Sequence, residues 1–364
     1  MKRNHSVFFL LFFLILLFPI TAYSGSREGL NRPIMYGPQY PLMFRSTVFE
    51  PDTGFTLEEG KIYSQVGNSS MNTFVMSSNS AKNDTPPGSA DTFSDISSNG
   101  YSVYFDGEID RQFIRLYYGF SDFLELQYTY RQFRFIAGSL DETIENFHQS
   151  FGLENQGREK TGRDQFEVYI HDNESNQNVF VLTEQENKYR KESVTIGLKF
   201  SIRETSDEAL SFTFASNTND YFIERGMNQS TVEDTREHSN FNDSLAAISY
   251  TSIFSDWSLF GAFAIAHVSK SLFENSPSEI YYYFLGSNWK LSEDWDLQFQ
   301  SLNYSSPFPK DGVSTIGADV RELALGVRWF WGDTFNMETG MIENQSQGPQ
   351  NIDIVFYSAI NYLL

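Results

Sequence analysis

His267 and Ser269 stand two positions apart with Val268 between them, so on an extended chain the imidazole and the hydroxyl share one face. With Glu274 or Glu279 to orient the ring, such a pair is the material of acyl transfer. The imidazole takes the hydroxyl proton, and the oxygen attacks an ester carbonyl. A Ser–His pair at a membrane rim is the arrangement of outer-membrane lipases and deacylases. His148, one of five histidines, has Glu142 and Glu145 nearby, which reads more simply as a structural histidine than as a general base or metal ligand. No Gly-x-Ser-x-Gly elbow, zinc-ligand spacing or phosphate loop occurs, so neither a metal nor a cofactor is expected.

A second group of residues suits selection rather than catalysis. Arg111, Arg115, Arg131, Lys199, Arg203, Lys290 and Arg328 all fall on the polar phase of alternating segments. Glu125, Asp296, Glu322, Glu338 and Asp353 fall on the same phase. Lining a bore, this mixed and slightly basic set would favour small anionic or zwitterionic solutes. Paired across a filled interior, it would simply replace a core. Both readings stand on the sequence alone.

The elements that must position these residues are strands. Leu124, Leu126, Tyr128 and Tyr130 alternate with Glu125, Gln127, Thr129 and Arg131. Val194 to Ile202, Trp295 to Phe299 and Leu323 to Trp329 repeat the pattern. Twelve such segments run from Lys61 to Leu364, most of them as long as a tilted membrane strand. Tight turns such as Ser255-Asp256 and Trp331-Gly332-Asp333 alternate with long polar loops. That asymmetry, with 35 Phe and 20 Tyr in a chain of negative mean hydropathy, predicts an all-β, transmembrane, antiparallel up-and-down barrel of about twelve strands. The long loop 137–192 is placed outside the cell. It carries two short β-like runs, Gln165–His171 and Asn178–Thr183, which would make fourteen strands if they crossed. It also carries a short helix with Leu140, Ile144, Phe147 and Phe151 on one stripe, fit either to constrict the lumen or to pack on the rim.

The front of the chain carries an address. Lys2 and Arg3 precede the apolar run Val7–Ile20, and Ala22-Tyr23-Ser24 offers a cleavage site, so residues 1–24 are expected to be a removed signal peptide. Residues 25–60, broken by Pro33, Pro38, Pro41 and Pro51, are expected as an irregular lead-in on the periplasmic side or a segment tucked into the barrel mouth. The barrel itself is expected over 61–364. A formal net charge of −21 argues against nucleic-acid binding, and the absence of cysteine excludes a disulfide scaffold.

Ile144-Glu145-Asn146-Phe147-His148-Gln149-Ser150-Phe151-Gly152-Leu153, followed by Gly157-Arg158, resembles the motif of the domain family of unknown function 3187. Asp106-Gly107-Glu108-Ile109 and the turn Tyr118-Gly119-Phe120-Ser121-Asp122 before Leu124-Glu125-Leu126 fit the same family, and Gly37-Pro38 through Pro41-Leu42 is a looser match. The resemblance implies an outer-membrane protein of a Gram-negative cell without assigned activity. The expected partners are the lipid bilayer, lipopolysaccharide, the barrel assembly machinery and an unnamed small solute. The functional expectation is a narrow pore or uptake channel for small solutes, the alternatives being a lipid-modifying hydrolase or a non-conducting surface barrel.

Overall fold

A computed structural model describes residues 27–39, 49–76, 101–138, 140–151, 163–172, 177–182, 189–219, 241–268, 277–307, 317–344 and 352–364. The expected signal peptide lies outside these residues. The strands are β1 (Ile62–Met76), β2 (Tyr101–Ser121), β3 (Leu124–Ile136), β4 (Glu167–Asp172), β5 (Gln177–Leu182), β6 (Arg190–Glu204) and β7 (Glu208–Asn219). They continue as β8 (Phe241–Phe254), β9 (Trp257–His267), β10 (Glu279–Lys290), β11 (Trp295–Tyr304), β12 (Val320–Trp331), β13 (Phe335–Asn344) and β14 (Ile352–Leu363). One helix, α1, spans Asp141–Phe151.

The sheet closes. β1 pairs antiparallel with β2 on one side and with β14 on the other, so that Gln65 faces both Arg115 and Asn361. Twelve strands complete the ring, from β1 to β3 and from β6 to β14. β4 and β5 stay outside it as a hairpin on the far end of β2. There β4 pairs with Tyr101–Asp106, and β3 takes over from Glu108 to Ser121. The two short runs are therefore real strands that do not cross. Six residues reach about 20 Å along a strand, and a tilt of roughly 40° leaves too little for a belt about 25 Å tall.

Alternation sets the two faces. Ile196, Leu198, Phe200 and Ile202 on β6, and Trp257, Leu259, Phe263 and Ile265 on β9, point outward and are exposed. Leu285 is 71 % exposed. So continuous an apolar surface would be costly in water and suits a lipid-facing barrel wall. All five tryptophans lie at the short-turn ends of their strands: Trp257, Trp289, Trp295, Trp329 and Trp331. Trp257 and Trp289 are directly opposed across β9 and β10 and stack at 5.4 Å. Trp295 and Trp329 repeat this on β11 and β12 at 5.5 Å. Indole rings at one level are the pattern that an aromatic girdle at a membrane interface would require. Leu364 and Ile62 exchange main-chain hydrogen bonds of 2.8 and 2.9 Å at this same rim, so both ends of the ring lie with the short turns.

The inner face divides by height. Towards the short-turn rim it is polar and charged, with Gln65, Arg115, Glu125, Arg131, Lys199, Arg328 and Glu338 all buried. Towards the long loops it becomes apolar, through Phe133 and Phe135 on β3, Ala264 and Ala266 on β9, and Ile280 and Tyr282 on β10.

α1 begins on the outer face of the wall. Asn72 donates to Asp141 (3.0 Å) and to Glu108 (3.3 Å), and Glu108 accepts from the Leu140 N–H. Asp141 and Glu142 stand in the first turn, where carboxylates favour the helix dipole. Ile144 is buried. The start of the helix is thus tied by hydrogen bonds to Asn72 on β1 and, through Leu140, to Glu108 on β2.

Candidate functional site: a charged seat inside the barrel

The interior is occupied by the chain's own N-terminal strap, residues 29–39 rising and 49–58 returning. A short 3-10 turn, Arg27–Leu30, opens it at the short-turn rim. There Leu30, Met35 and Leu57 pack with Tyr63, Tyr117, Phe330 and Leu363. Pro33, Pro38 and Pro51 lack the N–H that helix or sheet would use, so the strap runs irregularly. Its buried main-chain groups must then find partners elsewhere.

Wall side chains supply them. Arg328 donates to the carbonyls of Leu30 (3.2 Å) and Arg32 (2.7 Å), and Asn288 donates to Arg32 (3.0 Å). Gln300 donates to the Ile34 carbonyl at 3.1 Å, Arg115 to that of Met35, and Arg111 to that of Pro38 at 3.3 Å. The Gln39 N–H donates to Glu322 at 2.9 Å. On the return, Gly54 donates to Thr251 (2.7 Å), Leu57 to Glu125 (3.0 Å) and Gly60 to the Gly119 carbonyl (2.8 Å). A Cβ on Gly119 would collide with the Leu57 and Glu58 carbonyls, so the strap's close approach there requires glycine.

The strap also carries three charges into the bore. Arg32 pairs with Asp52 (2.5 Å) and Glu125 (3.2 Å), and Lys199 reaches Asp52 (2.9 Å) and Glu125 (3.9 Å). Glu50 bridges Arg115 and Arg131, the latter at 2.8 Å. Above the rim, Arg328 pairs with Glu338 (2.8 Å), which also accepts from Gln65 (2.9 Å). Burial alone would push the Glu50 carboxyl up, but the two guanidinium groups outweigh it and hold the group down at about 2. Asp52 is likewise held low, burial being outweighed by Arg32 and Lys199. Strap and wall thus set charges of opposite sign against one another in one buried layer.

Most of the residues expected in the bore line it. Arg111, Arg115, Glu125, Arg131, Lys199, Glu322 and Arg328 are buried and point inward, as are Asp296 and Glu338. Two expectations are corrected. Arg203 follows a β-bulge after Ser201 that breaks the inward phase, and its exposed side chain lies 3.7 Å from Glu208. Lys290 is the last residue of β10 and is exposed at the rim, where the strand ends before the lumen begins. The Asp353 side chain lies outside the described residues. Of the two readings that the sequence left open for Arg115 and Arg131, the paired one describes them here, since Glu50 engages both.

His267 faces outward and is exposed at the long-loop end of β9, opposite Glu279. The Glu279 carboxylate accepts from the Tyr281 hydroxyl at 2.6 Å. Ser269 and Glu274 lie outside the described residues, as do the side chains of Phe147, His148 and Phe151.

Sequence reasoning passed over Arg32, Glu50 and Asp52. One signal was available: an inward basic excess beside a proline-broken segment that carries carboxylates.

The family model described as a protein of unknown function, DUF3187, matches residues 39–363. No curated protein matches the sequence. Among solved structures, an outer-membrane channel from Pseudomonas putida F1 is similar at 10 % identity and a TM-score of 0.47, over 87 % of this chain and 100 % of that one. The KdgM porin is similar at 8 % identity and a TM-score of 0.39, over 82 % of this chain and 98 % of that one. A FadL homologue from Pseudomonas aeruginosa is similar at 8 % identity and a TM-score of 0.40, over 84 % and 90 %. At these scores no function carries over, and the closed ring is established by the strand pairing described above.

Proposed function

The chain belongs to the DUF3187 family of proteins of unknown function, and we propose that it works in a Gram-negative outer membrane as a narrow channel for small solutes, closed by its own strap. Lipid and lipopolysaccharide would surround the apolar belt, and the barrel assembly machinery would insert it. The observation that carries this reading is the ionic seat of the strap. A permanently filled interior is held best by apolar packing, because buried ion pairs recover little of their desolvation cost. A charged seat differs in one respect: when water enters, each separated group regains its hydration, so release is far less costly than exposing an apolar core. Arg32, Glu50 and Asp52 against Lys199, Arg115 and Arg131 therefore suit a closure that comes undone.

The test uses the natural absence of cysteine. The hydroxyls of Thr53 on the strap and Thr251 on β8 are 3.0 Å apart, so a Thr53→Cys, Thr251→Cys pair would place the only disulfide of the chain across the seat. In planar bilayers the oxidised protein is expected to stay silent, and reduction should restore brief, low-conductance openings like those of the wild type. If the wild type, the reduced pair and a strap-deleted barrel that shows the heat-modifiable gel shift of a folded barrel are all silent, the channel reading fails and a structural barrel stands.

A further inference from the structure

We infer that two copies of the barrel associate side by side in the membrane, through a row of polar side chains on the outer wall. The inference rests on the membrane placement and is independent of conduction. Strand partners in succession make the row. Thr339 on β13 faces Ser358 on β14, and Ser358 faces Asn68 on β1. Asn68 in turn faces Gln112 on β2, which faces Gln132 on β3. All lie on the outward phase, Thr339 and Asn68 exposed and the others half-buried. From Ile62 at the short-turn rim to Asn68 is about 20 Å of strand. At a tilt of about 40° that is roughly 15 Å of height, near the middle of a belt about 25 Å tall. At the same distance from the short turns, other strands show Phe214, Ile248 and Phe263, all exposed.

Hydrogen bonds inside the row leave part of it unsatisfied. The Ser358 hydroxyl donates to Asn68 Oδ1 at 2.8 Å, and Gln132 Nε2 donates to Gln112 Oε1 at 2.8 Å. The amide N–H groups of Asn68 and Gln112, and the Gln132 amide oxygen, have no partner among the described residues. Lipid chains at this depth offer neither donors nor acceptors, and an amide left alone in hydrocarbon is costly. Another protein surface has to supply them. A second copy fits, because a carboxamide donates and accepts at once, so the row is its own complement. Two-fold rotation about the membrane normal returns each residue to its own depth. The free N–H groups of one copy and the free oxygen of the other are thereby brought to one level of the belt.

Because the chain has no cysteine, a single introduced one can form a disulfide only with another copy. Ile114→Cys, next below Gln112 on the outer face of β2, leaves every member of the row in place. Oxidised briefly in phospholipid vesicles, it is expected to give covalent dimer as the main product, while Phe263→Cys on β9 stays monomeric. Adding Asn68→Leu, Gln112→Leu and Gln132→Leu should preserve the heat-modifiable gel shift of a folded barrel and lower the Ile114→Cys dimer yield several-fold. No dimer from Ile114→Cys, or equal yields from it and Phe263→Cys, would overturn the inference. An undiminished yield in the leucine variant would do the same. So would an adduct of a different mass in native membranes, the sign of another protein on the row. Each of these failures leaves the conductance test of the channel untouched.

Discussion

Glu50 is the most demanding place to test the seat, because one carboxylate serves two buried guanidinium groups. A carboxyl held at about 2 instead of its ordinary 4.5 favours its ionised form in place by about 3 kcal/mol. Glu50→Gln removes that preference and leaves Arg115 and Arg131 buried without their counter-charge. Breaking a buried pair from one side typically costs ~3–5 kcal/mol. Part of that cost can be avoided by unseating the strap, which returns both guanidinium groups to water. At about 1.4 kcal/mol per tenfold, the lower figure moves the closed-to-open equilibrium by on the order of a hundredfold. The assay is open probability in single-channel recordings at neutral pH, on protein shown to be folded by its heat-modifiable gel shift. Glu50→Gln combined with Arg131→Gln should lie closer to the wild type than Glu50→Gln alone, since it removes one of the two stranded charges. An open probability within about threefold of the wild type, a shift worth under 1 kcal/mol, would refute the reasoning: the strap would then be held by its hydrogen bonds and rings.

Two further outcomes follow from the same geometry. The stabilisation that Glu50 gives to the seat is fully present above its free value of 4.5 and drains as pH falls through about 2, and Asp52 shifts the same way. Conductance recorded against pH should therefore stay flat through the neutral range and rise only in strong acid, whereas a rise near neutrality would point to a histidine instead. Because every tryptophan lies at one rim, fluorescence should be quenched more by lipids brominated near the headgroup than by lipids brominated at mid-chain; the opposite order would refute the placement of the belt.

The ring was legible in the sequence because lipid and lumen impose opposite demands on neighbouring residues. Leu198 must be apolar while Lys199 must not be, and that period of two survives without any knowledge of partners. The closing pair, β1 with β14, was implied by an even strand count that returns both ends to one side. The strap left no such trace. Its residues are neither periodic nor helical, and its main chain is satisfied by side chains on strands far along the sequence, such as Asn288, Gln300 and Arg328. Nothing local marks Arg32 as the partner of Glu125. Arg203 was misplaced for a related reason: a bulge moves every later side chain to the other face, and no residue in Ser201-Ile202-Arg203 announces it.

The seam between β1 and β14 has a consequence for how the molecule is made. It joins the first strand to the last, so it forms only after nearly the whole chain is present, against the largest loop-closure entropy in the fold. The strap is covalently continuous with β1 and hydrogen-bonded to strands on every side of the bore. Being tethered to β1, it stays beside the bore after release and can seat again. Closure therefore needs no second component and should not depend on protein concentration.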